Sequence, residues 1–228
     1  MKTCIDCKKK LYNTILTFLE ESEEINQQNF EKLCEDMRIY HIEDDREEMT
    51  HFLLTIKSIS DNHHRDENFF PRIIQILQNC QIKQTLSNNE IFHLFASNKL
   101  IVLFFLKNDI INISEDIYNY MVSTIECNGY RYCHFFYPEL EKIKGEEEMK
   151  FYKEELLSLN PEVFDDFEKK RQEGENESYI CSLIRNDSVE EFIAHINRNH
   201  ISVSSKIKPS IFETNSFLIE NKNTSLIE

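Results

Sequence analysis

Asn89 to Ile113 reads NEIFHLFASNKLIVLFFLKNDIINI, and Ser178 to Val203 reads SYICSLIRNDSVEEFIAHINRNHISV. Each is an amphipathic helix, a tight polar turn and a second amphipathic helix. Placing Asn98 on Asn186 puts Phe95, Phe104 and Phe105 on Leu183, Phe192 and Ile193. A helical pair of this size cannot bury its apolar face alone, so it stacks on neighbours, as the units of a helical array do. The repetition predicts an all-α fold, a multi-helix array of helix–turn–helix pairs, with these phenylalanines and their equivalents in the core. The terminal Asn223 to Glu228 (NTSLIE) reads as the opening of a further unit. Its Leu226 and Ile227 are expected to need a partner beyond Glu228 to be buried.

Composition agrees. The 228 residues include only three glycines and four prolines. So few breakers leave little room for the tight turns of a sandwich or barrel, or for a glycine loop around phosphate. The net charge of −15 disfavours nucleic acid and anionic membranes as partners and suits a basic protein partner or a solvated surface. The longest unbroken apolar run, Leu100 to Leu106, is far short of the roughly 20 residues a membrane span needs. The N-terminal TCIDCKKK has no apolar signal core. Seven thinly spread cysteines fit reduced thiols in the cytoplasm.

Along the chain, Leu11, Ile15, Phe18 and Leu19 line a first helix, and Phe30, Leu33, Cys34 and Met37 a second, capped by Asn26. Met49, Phe52, Leu53, Ile56 and Ile59 line a third, opened by the acids Glu43 to Asp45. A fourth carries Phe70, Ile73, Ile74 and Leu77, with Pro71 in its first turn. Ser87-Asn-Asn-Glu90 and Ser188-Val-Glu-Glu191 are capping boxes. Ser114 caps a helix with Ile117, Met121, Val122 and Ile125 inward. Asn128-Gly129 is a break, Asn160-Pro161 opens a new helix, and Arg171 to Asn176 (RQEGEN) is the linker candidate. The expected division is therefore 1–173, an N-terminal helical domain, and 174–228, a helical pair followed by the start of a truncated further repeat.

Two pieces resemble ankyrin repeats: Asn223-Thr224-Ser225-Leu226 is similar to the opening of a first helix, and Asn186 to Ile193 (NDSVEEFI) to the second-helix half. The order of segments Asn62-His-His-Arg65, Asn68-Phe-Phe70, Leu86 to Phe92, Glu168 to Asn176, Leu183 to Ser188, Ser210 to Asn215 and Ser225 to Glu228 resembles the N-terminal region of expanded protist ankyrin-repeat proteins, an ankyrin-related domain of unknown function. The resemblance covers most of Ser60 to Glu228. It implies an all-α region grading into ankyrin-like, α-solenoid-like repeats and adds no substrate.

Chemistry-bearing clusters are sparse. Cys4-x-x-Cys7 has the spacing of half a zinc site, with Cys127, Cys133 and His134 as the other half. The plainer alternative is a reduced N-terminus and two packed cysteines, because adjacent Cys133 and His134 are awkward ligands for one tetrahedron. His63-His64 beside Asp61, Asp66 and Glu67 lacks a metalloprotease spacing and reads as a polar turn. There is no Gly-x-Ser-x-Gly motif. The stripe Tyr130 to Tyr137 reads as core, with Tyr130, Tyr132 and Tyr137 as candidate partner-binding residues at its rim. The expectation is a protein-interaction module or N-terminal cap with no catalysis and no cofactor. The alternative is a metal-binding or redox protein using Cys4, Cys7, Cys133 and His134.

Overall fold

The computed structural model describes residues 2–20, 23–62, 69–126, 129–207, 210–215 and 225–226, with backbone alone at 2–8, 23–26 and 62. Cys127, His63, His64, Asn223 and Ile227 lie outside the described residues, as do the side chains of Cys4, Cys7 and Asn26. The fold is all-α, with fourteen helices and no strand among the described residues. It forms two compact units, Met1–Asn112 and Ile113–Glu228.

The first unit holds α1 (Lys2–Glu20), α2 (Glu23–Ile39), α3 (Arg46–Asn62), α4 (Phe69–Asn79), α5 (Ile82–Thr85), α6 (Asn88–Phe95) and α7 (Lys99–Lys107). Helix α1 packs on α2 and α4, α3 packs on α4, α5 and α6, and α6 packs on α7. The predicted stripes are the core: Ile15, Phe18, Leu19, Leu33, Met49, Leu53 and Ile56 are all fully buried. Buried Asp36 is held by the Thr14 hydroxyl at 2.8 Å and Lys10 at 3.3 Å, which ties α1 to α2. The apolar run after Asn98 is helix α7, with Ile101, Val102, Leu103 and Phe105 buried. Phe104, expected in the core, is only half-buried; Phe105 is the residue that packs edge-on against Phe95, at 5.2 Å between ring centroids.

Helix starts follow the sequence where the geometry allows. The Asp45 carboxylate accepts from the N–H groups of Glu47 and Glu48 at 2.8 and 3.0 Å, and the Ser87–Glu90 capping box is formed. Ser114 caps the next helix, accepting from Ile117 at 3.3 Å. Helix ends show how a chain with three glycines turns so often. His41, Asp109, Asp187 and His200 take positive φ, between 51° and 53°, two residues past the end of a helix. In each case the following residue's N–H reaches the carbonyl five residues back: Ile42 to Met37, Ile110 to Phe105, Ser188 to Leu183 and Ile201 to Ile196. This is the Schellman stop, made here with aspartate and histidine where glycine is usual.

The second unit holds α8 (Glu115–Ser123), α9 (Tyr132–Phe135), α10 (Tyr137–Lys144), α11 (Glu146–Leu159), α12 (Phe167–Glu173), α13 (Tyr179–Arg185) and α14 (Val189–Arg198). Its core gathers Tyr130, Leu156, Val163, Phe167, Ile211 and Phe212. The last two belong to Ser210–Asn215, a non-helical segment that returns after α14. The Thr214 N–H and hydroxyl both donate to the Gly174 carbonyl, at 3.0 and 2.7 Å. Phe212 meets the Phe167 ring edge-on at 5.2 Å.

Several expectations change here. Gly174 is a buried αL stop for α12 rather than part of a linker, and the boundary expected at 173/174 falls inside this unit. Neighbouring Arg171, read as linker charge, is buried because Glu139 grips its guanidinium at 2.5 and 2.9 Å, while the Phe135 carbonyl accepts at 3.2 Å. Asn160-Pro161 makes turns, and the helix begins only at Phe167. Ile125 is exposed because α8 stops at Ser123. Ser188 makes no capping bond: the turn is so short that it also closes α13, and its ψ of 67° departs from the extended value the box needs. Leu226 is buried within this chain, its N–H bonded to the Ser205 carbonyl at 3.2 Å.

Candidate interaction surface

The aromatic stripe is interior. Tyr130, Tyr132, Tyr137, Phe135 and Phe136 are all buried, with Tyr132 stacked on Phe136 at 5.1 Å and Tyr137 edge-on to Phe164 at 5.6 Å. Burial pushes the Tyr132 and Tyr137 hydroxyls above their ordinary pKa, Glu141 adding to the effect at Tyr137. These tyrosines therefore present no face to a partner, and the reading of them as rim residues is corrected by their packing.

Cys133 and His134 sit in the same core. Burial lifts the Cys133 thiol to about 12, which favours the neutral thiol at neutral pH. The Arg131 N–H donates to His134 Nδ1 at 3.0 Å. Its other nitrogen, Nε2, lies 3.3 Å from Glu155 Oε2 without a formed hydrogen bond. Glu155 is itself bonded by Arg131 Nε at 2.7 Å. Burial holds the imidazole below its usual 6.5, with Glu155 pulling the other way. The cluster staples α9 to α11. Among the described residues no three His, Cys, Asp or Glu side chains are grouped to hold a metal ion.

The unusual surface lies elsewhere, on the pair α13–α14. Helix α14 carries apolar residues at Val189, Phe192, Ile193 and Ile196, a stripe wider than the seam with α13. Only Ile196 is buried, and Phe192 is half-buried. Val189 and Ile193, one turn apart, are 50% and 49% exposed. Ile184 and Tyr179 on α13 and Val203 beyond α14 are exposed as well. The equivalent pair in the first unit is covered: Ile101 and Phe105, which fall on Val189 and Ile193, have no exposed surface. The turn asparagines differ in the same sense. Asn98 is buried and donates to Ser60 Oγ at 3.0 Å and Asp61 Oδ1 at 3.1 Å on α3, whereas Asn186 is exposed.

Family models, curated proteins and solved structures offer no match to this chain. The reading of the site rests on its own geometry. Sequence periodicity marks the α14 stripe as apolar but not as uncovered. The expectation that Phe192 and Ile193 are core is met only in part: Phe192 is half-buried and Ile193 is exposed. Among the described residues no helix is long and apolar enough to cross a membrane, so the stripe is not part of a helical span.

Proposed function

We propose that this chain is a non-catalytic protein-interaction module built as a helical array. The observation that carries the reading is the half-exposed apolar stripe of α14, in a position whose equivalent in the first unit is fully covered. Large apolar side chains grouped on one exposed face mark contact surfaces in soluble proteins. The buried packing of Cys133 and His134 gives no support to chemistry at that pair. The net charge of −15 favours protein partners over nucleic acid. In this reading the protein works in the cytoplasm, where its cysteines stay reduced. The paired helices are also what an ankyrin-like array would use, and α14 is then the face on which a neighbouring pair stacks.

Affinity capture with quantitative mass spectrometry tests the reading, comparing the wild-type chain with a Val189→Asp/Ile193→Asp variant. Both positions are exposed, so the variant folds. The expected result is a defined set of proteins held by the wild type and lost by the variant. Identical captures from both, or turnover of a substrate class abolished by one polar substitution elsewhere, would overturn it.

A further inference from the structure

The outer face of α14 is not only uncovered but edged with acid, and that edge specifies what it takes. Position by position, the first unit offers the comparison. Buried Val102 and Leu103 fall on Glu190 and Glu191, and buried Lys99 falls on Asp187; all three acids are exposed. They form no ion pair with a described residue. Arg185, two residues before Asp187 in the chain, is bound to Glu175 and donates to the Asn176 carbonyl at 2.8 Å. Arg198 and His200 lie at the far end of α14, beyond the stripe's exposed half.

We infer that Val189 and Ile193, with Glu190 beside them on α14 and Asp187 in the turn that opens it, dock a basic amphipathic helix of a partner protein. The inference rests on the interaction reading above and adds the partner's class. Residues 189 and 193 are one turn apart on one side of α14, the spacing at which a helix lays its own apolar residues into a facing surface. Lysines or arginines flanking that partner's apolar stripe meet Glu190 and Asp187. The field of a chain with net charge −15 draws a cationic segment towards it. A second copy of this chain fits less well. It brings the same acids and the same net charge, with only His195 and Arg198 as basic residues of α14 to set against them.

The test selects helical peptides on the full chain from a displayed library in which apolar residues are fixed at helical spacing and the flanking positions are randomised. Binding of the winners is then measured by fluorescence anisotropy. The expected winners carry Lys or Arg at the flanks. They lose about tenfold or more in affinity with Ile193→Asp, and with Glu190→Lys they lose out to acidic-flanked peptides. Neutral or acidic winners on the wild type, or winners indifferent to Ile193→Asp, overturn the inference while leaving the interaction module standing. No enrichment at all overturns it too, and together with an empty affinity capture removes the module as well. Sedimentation of the chain alone supplies the last arm: a dimer broken by Ile193→Asp assigns the face to a second copy and overturns the basic-helix assignment.

Discussion

Replacing Phe212 with alanine tests whether Ser210–Asn215 is part of the second unit's core. The Phe212 side chain has no exposed surface and packs on Phe167 within the cluster of Tyr130, Leu156, Val163 and Ile211. A buried aromatic removes about 150–250 Å² from water. At about 25 cal/mol per Å² this is roughly 4–6 kcal/mol for the whole side chain, an upper bound because unfolded chains are partly collapsed. The alanine methyl keeps part of that, and the ring leaves a cavity, so the expected loss is about 3–5 kcal/mol. Hydrogen exchange of the Lys170 and Gly174 amides, which bond to the Asp166 and Lys170 carbonyls at the two ends of α12, reads the loss in the second unit alone. Phe192→Ala, whose side chain is half-buried, should cost about 1–2 kcal/mol, since only the covered half contributes. A loss below about 1 kcal/mol for Phe212→Ala would mean that the segment is not core and that the unit closes without it.

Three further outcomes follow from the caps and the buried histidine. Ser87→Ala should cost about 0.5–2 kcal/mol in a urea melt, because it breaks a formed capping box, whereas Ser188→Ala, which caps nothing, should stay within about 0.5 kcal/mol. Asp109→Gly and His200→Gly each place glycine at a positive φ, and each should stabilise by about 0.5–1 kcal/mol; a loss in both melts would contradict the αL assignment. His134 is held neutral by burial in the folded chain, while the unfolded chain takes up a proton near 6.5. Below that pH the unfolded state binds more protons, so stability present above 6.5 is lost as pH falls towards the lower folded value. The wild type should therefore lose more stability between pH 7 and pH 5 than His134→Gln, and equal losses would show that His134 titrates normally.

What the sequence made legible is what periodicity and caps encode. Leu100 to Leu106 is apolar all round and short enough to be a strand. Its place after Asn98, and its match to the later unit, identify it as α7. Ser87, Asp45 and Ser114 cap as their spacing predicts. Ser210–Asn215 was not legible, because a non-periodic segment gives no signal of burial. Yet Ile211, Phe212 and Thr214 lie inside, and Thr214 bonds back to Gly174. Arg171 misled for a related reason. In a run of Glu and Lys it looks solvated, and only the folded chain brings Glu139 from 32 residues away to satisfy it. The division at Asn112 carries no such linker signal as Arg171 to Asn176, and a polar, glycine-bearing run does not report where the core changes. At the candidate site, the α14 stripe was visible in sequence. Its exposure was not, because coverage is a property of neighbours rather than of the helix itself.

The central claim is that the outer face of α14 meets another protein, and site-specific photocrosslinking tests it most directly. Benzoylphenylalanine is placed at Ile193 and, in a second variant, at Phe151 on α11, which is at least as exposed but stands outside the stripe. The account predicts discrete crosslinked protein adducts from position 193 and none from position 151. Adducts equal at the two positions, or formed only from 151, would contradict it.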